Sequence, residues 1–192
     1  MRDAQLVVRL RAGDGAAIDR AFALHKDRLF RFLVRLSGRR DLAEDLLQET
    51  FLQLARHALR LSPETDLSGW LFTVARNAFR MAARRHHAGQ RALDGMPTPE
   101  PRHADDPERA ATSAAGVVAL VRALDALSED HREVLLLAVD GELTTDQAAS
   151  VLGIRADAFR KRLERARTEL ARRLLAEDAL PSVPEVRRGA AP

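Results

Sequence analysis

Four side chains in the last third of the chain have the types and the spacing that suit recognition of DNA bases. They recur at helical spacing, so a helix would bring them together on one face: Arg160, Lys161, Glu164 and Arg165. Recognition helices read base edges with such side chains, and the pairing of arginine with guanine is the commonest specific contact. Arg155 and Arg162 lie beside this set and join it as candidates. The alternative is a solvated basic face on a helix of a bundle.

The segment around these residues predicts a helix, a short turn and a second helix. Thr144 and Gln147 fit a capping box at the start of the first helix. Gly153 is the residue type that most often ends a helix in the left-handed conformation. The second helix then directs one apolar stripe inward: Phe159, Leu163, Ala166 and Leu170. This pattern is typical of a DNA-binding helix-turn-helix.

A second candidate surface for nucleic acid lies on a helix expected from about Ser68 to Arg85. Arg76, Arg80 and Arg84 follow at i, i+4 and i+8, with Asn77 beside them. Such a stripe can track a phosphate backbone and release counterions. Trp70 and Phe72 open the same helix, either as core residues or as platforms on which bases stack. A loop at residues 61–67, with the turn signal Ser62-Pro63, precedes it.

A third cluster is acidic and polar. Asp45, Gln48 and Glu49 fall at i, i+3 and i+4 on a helix expected from about Leu42 to Leu59, away from its apolar positions. Such a patch suits docking onto a basic partner surface. The alternative is an ordinary solvated helix face.

These surfaces belong to an all-α chain of two small helical domains joined by a flexible, proline-containing linker. The first domain is expected over residues 1–85, the linker over 86–116, the second domain over 117–176 and a disordered tail over 177–192. The linker contains four prolines and few large apolar residues, so it cannot bury enough surface to fold alone. In the second domain the apolar positions begin with Val117, Leu120, Val121 and Leu124, and Ser128 is expected to cap the next helix.

Composition limits the class of protein. The 192 residues carry a net charge of +3, and the basic residues are nearly all arginine, which suits phosphate and guanine. The absence of cysteine excludes disulfides and thiolate zinc sites. No signal peptide and no apolar run of the ~20 residues needed to span a bilayer are found, so a soluble, cytoplasmic protein is expected.

Three segments together resemble one family, the bacterial RNA polymerase sigma factors of the extracytoplasmic-function group. DLAEDLLQETFLQLAR (residues 41–56) resembles sigma region 2.2, which binds core polymerase. WLFTVARNAFR (residues 70–80) resembles region 2.4 of that group. Residues 126–170, which include the helix-turn-helix, resemble region 4. The absence of a domain between the two modules also matches this minimal group.

The resemblance implies a role for each cluster. Asp45, Gln48 and Glu49 would face the clamp helices of the largest polymerase subunit, and the second module would hold the polymerase flap. The −10 element would be read by Ser62, Glu64, Asp66, Trp70, Arg76, Asn77, Arg80 and Arg84. The −35 element would be read by Arg155, Arg160, Lys161, Arg162, Glu164 and Arg165. The family also implies an anti-sigma partner, no cofactor and no enzymatic activity.

The chain departs from the family pattern at several positions, and two other classes compete with this interpretation. Asp157 and Lys161 replace small residues at the start of the basic helix, and Met81 replaces a frequent aspartate. An autonomous helix-turn-helix regulator generally dimerises, yet no dimer helix is found. An enzyme acting on nucleic acid would need a motif such as a phosphate-binding loop, and none occurs. His86, His87 and His103 give only a weak indication of a metal site, since they lie in the expected linker.

Overall fold

The chain forms eight α-helices in the part that the structure describes, a computed structural model of residues 2–91, 114–139 and 143–178. Within those ranges no strand occurs, which confirms the all-α prediction. A three-residue 3-10 helix, Ala58–Arg60, follows the third α-helix. The α-helices are α1 (Arg2–Arg11), α2 (Gly15–Ser37), α3 (Arg40–His57), α4 (Leu67–Arg91), α5 (Ala114–Asp125), α6 (Glu129–Val139), α7 (Thr145–Leu152) and α8 (Ala156–Asp178).

The first module consists of α1 to α4, and its first helix was not foreseen from the sequence. Leu6, Val7 and Leu10 of α1 are buried against the rest of the module. The carboxylate of Asp14 caps α2 by accepting from the amide of Ala16 at 3.0 Å. At the other end Gly38 adopts a left-handed φ of 66°, which ends α2 within residues 37–40, where the sequence predicts a break.

The buried faces of α2 and α3 follow the predicted periodicity with one difference. The apolar spacing of residues 42–59 predicts an inner face, and its members on α3 and at the following residue are buried, except for the half-buried Leu47: Ala43, Leu46, Leu47, Thr50, Phe51, Leu54 and Ala58. On α2 the apolar spacing predicts an inner stripe of Leu24, Leu29, Phe30, Leu33 and Val34. Leu29 and Leu33 are buried, but the other three lie at the edge of the stripe. Phe32 and Leu36 take the central places instead. Phe32 packs edge-on against Phe72 of α4, with ring centroids 5.2 Å apart, so Phe72 is a core residue.

Helix α4 is longer than predicted, because it continues without interruption to Arg91. The expected linker of residues 86–116 therefore begins within a helix, and its last residues, from Ala114, belong to α5. At the start of α4, Gly69 allows the carboxylate of Asp66 to approach its backbone. A Cβ atom at position 69 would collide with that carboxylate.

The second module consists of α5 to α8, and the helix ends predicted at Ser128, Thr144 and Gly153 are confirmed. The Ser128 hydroxyl accepts from the amide of His131 at 3.3 Å at the start of α6. Thr144 and Gln147 form both bonds of a capping box on α7, and Gly153 ends that helix with φ 68°. Leu120 of α5 is an exception to the predicted core, since its side chain is 40% exposed.

The two modules pack against each other. Helix α4 of the first module contacts α7 of the second, and α2 contacts α6. One continuous cluster of buried apolar residues extends through both modules. The sequence predicted two modules on a tether but gave no indication of this arrangement.

The capping box of α7 provides a test of the local fold. Thr144→Ala is expected to lower the free energy of unfolding of the second module by about 1 kcal/mol, because the amide of Gln147 loses its acceptor. Urea denaturation followed by circular dichroism measures the loss. Thr145→Ala is the matched control, since Thr145 is exposed and takes no part in the box. Equal losses in the two variants would contradict the role of the cap.

Candidate DNA and polymerase interfaces

Helix α8 presents its basic side chains to solvent because its opposite face is anchored in the core. Phe159 and Ala166 are buried, and Leu163 and Leu170 pack against the same cluster. The predicted set of Arg160, Lys161, Glu164 and Arg165 is exposed on the outer face, as is Arg155 just before the helix. The structure thus brings the predicted α8 residues together on one accessible surface.

Two ion pairs involve the predicted residues of α8. The guanidinium of Arg160 bonds to the carboxylate of Asp157 one turn earlier. Asp157 also suits the first turn of a helix, where the positive end of the helix dipole lies. Arg162 differs from its neighbours, since it is half-buried and turned towards α6. Its Nη1 lies 3.9 Å from a carboxylate oxygen of Asp130.

The acidic patch of α3 is also on the surface. Asp45 and Gln48 are exposed, and Glu49 is half-exposed. Glu49 accepts a hydrogen bond from the Gln53 amide at 2.6 Å and lies 3.6 Å from the guanidinium of Arg56. Because Glu49 already bonds to these partners, Asp45 and Gln48 are the more accessible members of the acidic patch.

A groove of about 610 Å³ runs between α3 and α4 and joins two of the predicted sites. Asp45 and Glu49 line one wall, and Trp70, Asn77 and Arg85 line the other. The ring of Trp70 is half-exposed and lies 6.3 Å from the ring of His57, measured between centroids. Trp70 is therefore not a core residue like Phe72, and its ring is accessible from the groove.

The loop before α4 forms a hydrogen-bonded turn. The amide of Thr65 donates to the carbonyl of Ser62 at 3.0 Å, with Pro63 at the position where turns favour proline. The side chains of Ser62 and Glu64 are exposed and bonded to each other, and Asp66 is half-buried at the start of α4. The hydrogen bond from Ser62 lowers the pKa of Glu64, so this carboxylate stays ionised to lower pH than usual.

The predicted arginine stripe of α4 is divided between solvent and a partner helix. Asn77 and Arg84 are exposed. Arg76 is buried, and its Nε donates to Glu133 of α6 at 2.9 Å. Arg80 donates to both oxygens of Glu133, each at 2.9 Å, and to Asp130 at 3.0 Å. The structure therefore does not bring all the predicted −10 residues onto one open surface.

Glu133 is the residue that the sequence analysis missed. Its side chain is fully buried, and both carboxylate oxygens accept from the arginines of α4. Partial burial of the Arg80 guanidinium disfavours its charge, but the bonds to Glu133 outweigh this and raise the pKa of Arg80. The signal in the sequence was a carboxylate four residues before Leu137, on the buried face of an otherwise apolar helix.

Within the described ranges, no cluster of three or more acidic or histidine side chains could hold a metal ion. The possible site at His86, His87 and His103 depends on side chains outside the described residues. No helix of the described part is long and apolar enough to cross a membrane.

Comparison with known proteins assigns the family. Residues 21–88 match the family model of sigma-70 region 2, and residues 118–170 match that of sigma-70 region 4. The RNA polymerase sigma factor CarQ of Myxococcus xanthus is 35% identical over 171 residues, which cover 88% of this chain and 95% of CarQ. The chain belongs to the extracytoplasmic-function group of RNA polymerase sigma factors.

Solved structures agree with this assignment. The sigma factor RpoE of Bartonella quintana, solved in complex with the anti-sigma factor NepR, superposes with a TM-score of 0.71 at 26% identity. The match covers 83% of this sigma factor and 97% of RpoE. CnrH, solved with the cytosolic domain of CnrY, shares the fold with a TM-score of 0.71 at 21% identity, over 93% of this chain and all of CnrH. Proteins of this family bind RNA polymerase and direct initiation at specific promoters, and they are regulators rather than enzymes.

The bond between Ser62 and Glu64 provides a test of the loop. Ser62→Ala is expected to raise the pKa of Glu64 towards its ordinary value, because the hydroxyl donor is lost. The stability that the bond adds is present above the ordinary pKa and is lost as the pH falls through the lowered value. NMR titration of the Glu64 carboxyl group measures the shift. Ser68→Ala is the control, since the Ser68 hydroxyl bonds to Asp3 instead. An unchanged pKa in Ser62→Ala would contradict the assignment.

Proposed function

We propose that this sigma factor reads the −35 element as duplex with α8 and the −10 element with α4 and the loop before it, while α3 docks on core polymerase. The observation that carries the proposal is the polar face of α8, exposed and held in place by the buried Phe159 and Ala166. A helix anchored in this way has the geometry that a recognition helix needs in the major groove.

At the −35 element, Arg160, Lys161, Glu164 and Arg165 contact base edges, and Arg155 contacts the backbone near the start of α8. Each good bidentate contact between a side chain and a base contributes about 1–3 kcal/mol of discrimination. Lys161 takes the place of a small hydroxyl residue, and Asp157 holds the guanidinium of Arg160. The preferred −35 sequence therefore differs from that of relatives with the usual residues. Arg162, turned towards α6, contributes through the packing of α8 rather than through bases.

At the −10 element, the loop of Ser62, Glu64 and Asp66 receives a base extruded from the non-template strand. Extruding a base costs a few kcal/mol, which stacking and hydrogen bonds in a pocket must offset. The half-exposed ring of Trp70 supplies a stacking surface at the edge of the groove. Asn77 and Arg84 are accessible to the strand, while Arg76 and Arg80 must first leave Glu133.

Core polymerase is bound through Asp45, Gln48 and Glu49, which face the clamp helices of its largest subunit. A carboxylate patch is complementary to a basic surface, and such complementarity supports both specificity and the rate of association. The second module holds the polymerase flap through apolar side chains that remain exposed, such as Val118 and Leu120 of α5.

A solved relative supports an anti-sigma factor as a regulator of this chain as well, since RpoE was solved in complex with the anti-sigma factor NepR. The protein acts in the cytoplasm, where core polymerase and the promoter lie. It requires no cofactor and performs no chemistry of its own, since the polymerase makes the phosphodiester bonds.

Run-off transcription tests the function as a whole. Purified core enzyme with the full chain is expected to produce discrete transcripts from some members of a pool of genomic upstream fragments, whereas core enzyme alone gives only background. The free protein is expected to bind duplex weakly, because the polymerase sets the spacing of the modules. Transcription no higher than background across the pool would exclude a sigma factor. Tight, specific duplex binding by the free protein would favour an autonomous regulator instead.

The docking patch has its own test. Asp45→Lys combined with Glu49→Lys is expected to weaken binding to core polymerase by on the order of tenfold or more, because like charges then face each other. Pull-down with core enzyme over a concentration series measures the affinity. The control, Asp19→Lys combined with Asp27→Lys, makes the same change in net charge at exposed positions of α2. Equal affinities for the two double variants would exclude this patch as the docking site.

A further inference from the structure

The contact between the modules is centred on one carboxylate. Glu133 of α6 is fully buried and accepts three hydrogen bonds from Arg76 and Arg80 of α4, each at 2.9 Å. The bond with Arg80 is bidentate, the strongest geometry that an arginine and a carboxylate can form. In the described residues these donors come from the opposite module, 57 and 53 positions away in sequence.

Two exposed acidic residues of α6, Glu129 and Asp130, form the rim of the contact and also pair with Arg80. Asp130 accepts from Nη2 of Arg80 at 3.0 Å, and Glu129 lies 3.8 Å from its Nε. Asp130 also lies 3.9 Å from Arg162 of α8, which connects the rim to the recognition helix. Three acidic side chains of one helix thus surround the second arginine of the α4 stripe.

Such a contact can open without leaving an orphaned charge. Removing one partner of a buried ion pair is strongly destabilising, because the other charge stays buried alone. Separating the modules instead returns Glu133 and both arginines to water together. The desolvation of these groups in the closed state offsets much of their mutual attraction, so the ion pairs favour the closed state only modestly in net free energy. A small added interaction on either side can therefore shift the balance.

The same two arginines cannot bind Glu133 and DNA at once. A carboxylate and a phosphate use the same donor pair of a guanidinium. We propose that Glu133 acts as an intramolecular substitute for a DNA phosphate, occupying Arg76 and Arg80 and keeping the free sigma factor closed until a nucleic-acid strand displaces it. We call this contact of Glu133 with Arg76 and Arg80 the Glu133 clamp. It rests on the proposed function of α4 at the −10 element, and it regulates that site.

Energy transfer between two dyes tests the closed state without any DNA. The chain has no cysteine, so Ala55→Cys on α3 and Ala171→Cys on α8, both at exposed positions, place one dye on each module of the full chain. The parent protein is expected to show high transfer. Glu133→Gln is expected to lower it, because a neutral amide cannot hold two guanidinium groups. Low transfer in the parent, or transfer unchanged by Glu133→Gln, would overturn the clamp.

A second variant protects the test against a folding defect in Glu133→Gln. Glu129→Gln combined with Asp130→Asn alters only side chains that are more than half exposed, at 51% and 56%. It is expected to lower the transfer by a smaller amount while the helical content stays that of the parent. The control is Glu44→Gln, an exposed change on α3 that leaves the contact with α6 intact. If the rim variant and the control give equal transfer, the rim has no part in the clamp.

Binding of a fluorescein-labelled single strand of about 20 thymidines tests whether the clamp keeps Arg76 and Arg80 from binding a nucleic-acid strand. If the open state is at most about a tenth of the molecules, Glu133→Gln raises the apparent affinity about tenfold or more. Two additional phosphate contacts also steepen the dependence of log K on log salt by about 1.4. Glu44→Gln, with the same change in net charge, is expected to show neither effect.

The energy-transfer and strand-binding experiments together distinguish failure of the Glu133 clamp from failure of the proposed −10 function. Loss of transfer together with a tenfold gain in binding supports both. Loss of transfer with binding no stronger than that of Glu44→Gln would retain the contact but overturn the guarding role, and with it the assignment of Arg76 and Arg80 to the −10 element. Arg76→Gln combined with Arg80→Gln, added to Glu133→Gln, must abolish the gain. A gain that survives these changes would also exclude the two arginines as the strand-binding groups.

Discussion

The burial of a single carboxylate constrains the arrangement of the whole molecule. A charge inside a protein must be paired and hydrogen-bonded, or it costs several kcal/mol. Within the described part of the chain, the arginines that donate to Glu133 both lie on α4 of the first module. The packing of α7 on α4 and of α6 on α2 therefore depends on the pairing of Glu133 with the two arginines. The relative position of the modules follows from electrostatics as much as from apolar burial.

This constraint makes the three proposed binding surfaces unequal in the closed molecule. The outer face of α8 and the exposed members of the α3 patch, Asp45 and Gln48, are accessible as the protein stands. The stripe of α4 is only partly accessible, since Arg84 and Asn77 are free to solvent while Arg76 is buried. Under the proposed function, polymerase docks on α3 before the modules separate, and separation then exposes the rest of the proposed −10 surface. The proposed order of events follows from which side chains are covered.

Local patterns in the sequence predicted most of the helices and the exposed faces of α3 and α8, but not helix α1, the full length of α4 or the contact between the modules. The capping box of Thr144, the left-handed Gly153 and the inward stripe with Phe159 are short-range features, and each is confirmed. The face of α2 was predicted less well, because Phe32 is fixed by its contact with Phe72 on another helix. The partners of Glu133 could not be predicted from local patterns, since they lie more than 50 positions away. Sequence periodicity identifies a buried face without identifying what covers it.

The uninterrupted length of α4 has a consequence for the promoter. With a rise of 1.5 Å per residue, the distance along the axis from Leu67 to Arg84 is roughly 26 Å, and the described helix has no break over that span. This corresponds to about eight base steps of duplex at 3.4 Å each. The loop at one end and the last exposed arginine of the stripe at the other are thus held at a fixed separation. Under the proposed −10 recognition, the length of this helix sets how far a melted base in the loop lies from the upstream phosphates bound by the same module.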